Sequence, residues 1–453
     1  MTTTTRAQSP LPFSTAVAAH RGTRGTRGFT IAPARHLTGP QPEGLGRYIL
    51  IARDLTPADT AALDLDQVAG FCTSDGGPTS HAVQVAYSLG IPTVVAAGPP
   101  VLTVAPGTMC ALDGDTGTLY SGLSEPADLA IATDHLDSRL ARPPMRDGIG
   151  AEPVTLTGTI ARPSQAVCLR EAGADGLGLL ATELLFLGRE QDLLDEEAHY
   201  RAYREIARDV EGATVTLRTL DIGGDKDIPA LGLPHEDNPF LGVRGLRLGL
   251  RRPDLLQPQL RAAYRVARDD GARLRLMFPM VTSVEEFRQA AATARRIQAE
   301  LNAPDLPLGV MVEVPACALT IDRFAGHIDF LSIGTNDLAQ YLTAMSRTSA
   351  ALAEDIDPLH ISVTRTVRMV AQTGADHGIP VSACGGLAGD PVGAVVLAAL
   401  GVTSLTVALP YLPEVRDALA RTTPDTLAAI RTQALDTGGG DHLRDLVCEL
   451  LCL

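Results

Sequence analysis

Between residues 152 and 435, eight short apolar runs (VTLTGTI, GLGLL, VTLRTLDI, LRLMFPM, LGVMVEV, IDFLSIG, PVSACGG and TSLTVAL) alternate with stretches of helical periodicity. Eight strand-and-helix units over about 260 residues are what a (β/α)8 TIM barrel requires. In such a barrel, chemistry is carried by strand C-terminal ends and the loops that follow them. Polar residues cluster at those ends here: Arg218 with Asp221, then Glu313, Asn336 with Asp337, and Cys384. A barrel that served only as scaffold would have no need of them there.

The chain ahead of the barrel has a different texture. Residues 1–28 are rich in Thr, Ser, Gly and Arg without periodicity, and read as a flexible tail. Residues 29–122 hold short apolar runs (FTIAPA, RYILIA, GFCT, PTVVAA, MCALDG, GTLY) between Gly, Pro and Asp turns, with one helical stretch opening at His81. That pattern predicts a small α/β domain. Residues 123–151 read as a linker carrying one helix and a Pro/Gly break, and residues 436–453 as a C-terminal tail.

With 38 basic against 53 acidic residues, a net charge of −15, nucleic acid and anionic membranes are excluded as principal partners. Any anionic ligand must therefore be held by locally placed arginines. The seven cysteines form no CxxC pair, and no run of eighteen apolar residues occurs, so the sequence predicts a cytoplasmic protein without disulfides.

On the small domain, Gly76, Gly77, Thr79 and Ser80 stand just before His81. Glycines let backbone N–H groups approach an anion, hydroxyls donate to it, and a helix N-terminus favours negative charge, so the segment can cradle a phosphate. A neutral imidazole there can attack phosphorus and hold the phosphoryl group. Taken alone, the same residues also describe an ordinary helix start.

On the barrel, Arg218 and Arg244 come from neighbouring loops and can clamp a carboxylate and a phosphate, as a C3 phospho-acid demands. The competing reading for each is an ion pair at the rim. Glu313 and Asp337 end adjacent strand runs and can converge on Mg²⁺, which takes one or two carboxylates with substrate oxygens and water. Asn336 can bond a phosphate oxygen, and Arg347 can add positive charge. Cys384 can exchange a proton with an enolate carbon, although local sequence alone reads it as an inert buried thiol.

The stretch GGPTSHAVQVAYSLGIPTVV and the ordered set RTLDIGGDK, NPFLGVRG, RLMFPM, MVEVP, SIGTNDLAQY and ACGGLAGD together resemble enzyme I of the phosphoenolpyruvate-dependent sugar phosphotransferase system. The resemblance implies a swivelling phosphohistidine domain and a phosphoenolpyruvate-binding barrel, with transfer from phosphoenolpyruvate to His81 and release of pyruvate. It implies that Cys384 protonates the enolate, that Arg218, Arg244, Asn336 and Arg347 bind phosphoenolpyruvate, with Arg275 a further candidate, and that Glu313 and Asp337 hold Mg²⁺. It also implies a homodimer formed through the barrel.

The sequence departs from that pattern in four places. Only HLTGPQPEGLGR stands where enzyme I carries the helical domain that docks its small histidine-containing carrier protein (HPr), so the acceptor is unknown. Ala181 and Tyr87 stand where the family has arginines, and Gly386 where it has glutamate. The departures admit two alternatives: an impaired, phosphoenolpyruvate-binding sensor, or the phosphoenolpyruvate-converting half of a dikinase- or synthase-like system.

Overall fold

A computed structural model describes residues 11–38, 46–56, 59, 60, 63, 64, 67–77, 80–140, 154–186, 189–224, 228, 231–347, 349, 352, 355–436 and 440–451. The side chains of His81, Gln84, Ser88 and residues 137–140 fall outside the description. The chain divides into two compact units, residues 1–144 with 346–355 and residues 145–345 with 356–453.

The first unit is built on an eight-stranded mixed sheet in the order β1-β8-β7-β3-β4-β5-β6-β2. Its strands are β1 (Ala18–Arg21), β2 (Thr23–Thr26), β3 (Phe29–His36), β4 (Tyr48–Ala52), β5 (Val68–Thr73), β6 (Thr93–Val95), β7 (Met109–Asp113) and β8 (Thr118–Ser121). The central β4 and β5 are buried along their whole length, which is why YILIA and VAGFCT carry no polar alternation. The helix His81–Leu89 lies between β5 and β6 and closes on Gly90, a left-handed C-cap.

Two expectations about the ends of the chain are corrected. The segment read as a flexible tail supplies β1 and β2, the two outer strands of the sheet, paired antiparallel with β8 and β6. AAHR is mostly exposed and TRGT is polar and half-buried, so no hydrophobic period announced them. The C-terminal segment read as a tail forms the helix Gly440–Leu451, with Leu443, Val447 and Leu451 buried at i, i+4 and i+8. Part of the segment read as linker is the helix Pro126–Leu140, whose Ala132 packs with Phe29, Ala111, Tyr120 and Leu123.

The second unit is a closed barrel of eight parallel strands in sequence order: β9 (Thr155–Ile160), β10 (Leu177–Ala181), β11 (Val215–Arg218), β12 (Leu274–Phe278), β13 (Leu308–Val312), β14 (Phe330–Gly334), β15 (Val381–Cys384) and β16 (Ser404–Ala408). Each of the eight apolar runs read from the sequence is one of these strands. Among the described residues, no helix is long and apolar enough to cross a membrane.

Candidate active site

The C-terminal ends of the barrel strands bring together a buried cluster of charge. Arg218 is the last residue of β11, Glu183 follows β10, Glu313 follows β13, Asp337 lies in the first turn of the helix after β14, and Cys384 ends β15. Asp221 and Arg244 come from the loop region after β11. Gly223 sits at φ +101°, and a Cβ there would stand 2.6 Å from Val243 O, so only glycine lets this loop lie on the backbone that carries Arg244.

Arg244, 2% exposed, is held by two carboxylates. Its Nε and Nη2 donate to Asp221 Oδ1 and Oδ2, both at 2.9 Å, and its Nη1 donates to Asp337 Oδ1 at 2.8 Å. Nη1 also reaches the Tyr341 hydroxyl at 3.4 Å. Arg218 pairs through Nη2 with Glu183 and lies 3.7 Å from Asp221 Oδ2 through Nη1. Thr182, beside Glu183, donates to Arg218 O at 2.8 Å.

Glu313 is 1% exposed and accepts from Met280 N at 2.8 Å. Burial pushes its carboxyl up to about 8, the neighbouring Asp337 and Asp221 push in the same direction, and Arg218 and Arg244 oppose them. Two guanidiniums thus face four carboxyls: Asp221, Asp337, Glu183 and Glu313. Among these six side chains, with all ionised, negative charge exceeds positive by two, and the upward shift of Glu313 follows from that crowding and from burial. A hard divalent cation on oxygen donors would offset that excess. Among the described residues, no group of three or more His, Cys, Asp or Glu side chains is arranged to hold a metal, so such an ion would take its remaining ligands from water or substrate.

Cys384, 4% exposed, packs with Met277, Met311, Phe330 and Leu179. Burial raises its thiol to about 11, so it stands protonated at neutral pH, ready to act as an acid. The Ser332 hydroxyl lies 3.8 Å from its sulfur, positioned to donate to the thiolate left after proton transfer. The turn after Cys384 fixes Asn336: Gly386 N donates to Asn336 Oδ1 at 3.0 Å. Gly385, at φ +95°, has no room for a Cβ, which would stand 2.5 Å from Thr335 Oγ1 and 2.9 Å from Asn336 Oδ1.

The barrel therefore brings together Arg218, Arg244, Glu313, Asn336, Asp337 and Cys384. It does not bring Arg275 to them. That residue is second on β12, near the opposite end of the strand, where it donates to Thr216 Oγ1 and stacks on Phe330, and the expectation that it helps bind phosphoenolpyruvate is corrected. Arg347 is 3% exposed and falls in the segment that divides with the first unit. Sequence reasoning placed Asp221 among the polar residues at the strand ends but gave it no partner, and it gave no role to Glu183 or Tyr341. The signal for the two acids was available, because buried arginines demand counter-charges.

On the first unit, Gly76 adopts φ +94°, and Ser80 caps the helix that His81 opens. Ser80 is 5% exposed, yet its hydroxyl makes no cap bond and has no partner among the described residues. A hydroxyl so placed at a helix N-terminus can donate to an oxyanion. Thr79 and the His81 side chain lie outside the described residues.

Residues 149–423 match the family described as PEP-utilising enzyme, PEP-binding domain, and residues 46–117 match the PEP-utilising enzyme, mobile domain. A multiphosphoryl transfer protein of Xanthomonas campestris pv. campestris is 45% identical over 409 residues, 88% of this chain and 48% of that protein. A phosphoenolpyruvate-protein phosphotransferase of Haloferax volcanii is 42% identical over 389 residues, 84% of this chain and 68% of that protein. Another, of Staphylococcus carnosus, is 36% identical over 420 residues, 88% of this chain and 72% of that protein. The chain thus spans about half the length of the multiphosphoryl relatives and about 70% of the other two. None of these relatives lends support to the impaired-sensor alternative.

Proposed function

This chain belongs to the family of PEP-utilising enzymes, and from that premise we propose that it transfers the phosphoryl group of phosphoenolpyruvate to His81, releasing pyruvate, with onward transfer to a protein acceptor. The observation that carries the reading is the buried cluster at the strand ends, where two arginines, an excess of carboxyls and a protonated thiol share one pocket.

Arg218 and Arg244 bind the phosphate and carboxylate of the substrate, and Asn336 orients an oxygen. Glu313 and Asp337 would hold Mg²⁺, which neutralises phosphoryl oxygens when bound. The substrate's P–O bond breaks as a P–N bond forms to the His81 imidazole, and the enolate left behind takes the Cys384 proton at its methylene carbon, giving pyruvate. Solvent then restores the thiol. Gly76, Gly77, Thr79 and Ser80 cradle the phosphoryl group on the first unit, which swivels to deliver it. The same reading places the protein in the cytoplasm, as a homodimer through the barrel, in a route of sugar uptake whose carrier protein docks elsewhere than on the helical domain of enzyme I.

Isotope exchange tests this without the acceptor. With phosphoenolpyruvate and Mg²⁺, labelled pyruvate should be converted to labelled phosphoenolpyruvate by the wild type and not by His81→Ala. Equal exchange by both proteins would refute transfer to His81.

A further inference from the structure

At the N-terminal end of the barrel strands, away from the charge cluster, lies a cavity of about 660 Å³. That volume is within the range of small-molecule sites. Much of its wall is apolar, including Leu274, Leu306, Pro307 and Pro380. Arg275 also lines it. The Arg275 Nε donates to Thr216 Oγ1 at 2.6 Å, and the guanidinium lies 4.5 Å from the centroid of the Phe330 ring. Neither partner carries a negative charge. Partial burial lowers its pKa from the usual arginine value.

Arg218 and Arg244, by contrast, each sit against carboxylates. A half-buried guanidinium with no carboxylate partner among the described residues is a natural seat for an oxyanion on its hydrogen-bonding edge. Two acids do line the cavity, but both are engaged: Asp329 Oδ2 accepts from Leu308 N at 2.7 Å, and Asp305 pairs with Arg295. Arg273, exposed on the rim, adds a second cation.

We propose that this cavity is a second ligand site, taking a small organic anion whose carboxylate or phosphate pairs with Arg275 and whose carbon skeleton lies on the apolar wall. Phe330 covers one face of the guanidinium and Thr216 fixes its Nε, so the ligand is gripped in one orientation. Thr216 stands two residues before Arg218 on β11, so the two sites share a strand.

Calorimetric titration of the full chain with benzoate, phenyl phosphate and neutral benzyl alcohol tests the proposal. Saturable binding of either anion, weakened at least tenfold in Arg275→Met and absent for the alcohol, is the expected result, and the two anions show which head group is preferred. Deuterium exchange on the wild type gives a second measurement, which decides alone if the variant fails to fold: bound anion should protect segments 271–276 and 304–308. No saturable binding, undiminished binding in a folded Arg275→Met, equal binding of the alcohol, or protection confined to 219–224 and 313–316 would each overturn it.

Discussion

Arg244 grips Asp221 through two parallel hydrogen bonds of 2.9 Å, and both side chains are almost wholly buried. The remaining N–H groups of a guanidinium fixed in this way reach Asp337 and the Tyr341 hydroxyl, so Asp221 acts as the anchor that sets the orientation of Arg244.

Breaking this pair should be costly. Asp221→Asn leaves Arg244 short of a counter-charge in a buried site, for which about 3–5 kcal/mol is typical. Urea denaturation should show the loss, together with weaker phosphoenolpyruvate binding. A change below about 0.5 kcal/mol would show that Asp337 alone suffices to hold Arg244.

Glu313 should couple stability to pH. Its carboxyl ionises near 4.5 when unfolded and near 8 when folded, so between those values the unfolded state binds fewer protons and stability falls as pH rises, by at most about 1.4 kcal/mol per pH unit. Above pH 8 its contribution levels off. Metal-free protein should show this slope in denaturation at several pH values, and Glu313→Gln should remove it. Bound Mg²⁺ favours the carboxylate, so its affinity should rise with pH over the same window, with proton release detectable by calorimetry in buffers of different ionisation enthalpy.

Cys384→Ala removes the acid but leaves the arginines and carboxyls in place. Formation of pyruvate should slow by about 10²–10⁴-fold while phosphoenolpyruvate affinity is retained. Ser332→Ala, which takes away the hydroxyl beside the sulfur, should raise the thiol pKa further and shift the alkaline limb of the rate profile upward. An unshifted limb would remove Ser332 from the account.

The C-terminal helix is predicted to be part of the folded barrel unit. Leu443→Ala empties a buried position and should cost about 2–5 kcal/mol in a denaturation curve. A neutral outcome would return residues 440–451 to the status of a tail.

The barrel was legible because buried parallel strands write themselves as unbroken apolar runs, such as LGVMV and FLSIG, with turn residues between them. The edge strands AAHR and TRGT were not, since a short strand at the edge of a sheet, only partly covered, needs no hydrophobic period. Within the site, residue types at strand ends located Arg218, Glu313, Asp337 and Cys384. The pairing of Arg218 with Glu183, 35 positions earlier, is set by the adjacency of β10 and β11 and leaves no local trace. Arg275 was misplaced for a related reason: its neighbourhood to LMFPM located it on the right strand, but reach along a strand depends on which end a residue occupies.

The central claim is that phosphoenolpyruvate phosphorylates His81, and labelling tests it most directly. Protein incubated with phosphoryl-labelled phosphoenolpyruvate and Mg²⁺, then digested under alkaline conditions, should carry an acid-labile label on the peptide containing His81, lost in His81→Ala and suppressed in Arg244→Met. A folded wild-type protein that binds phosphoenolpyruvate yet stays unlabelled, or a label found at another residue, would contradict the account.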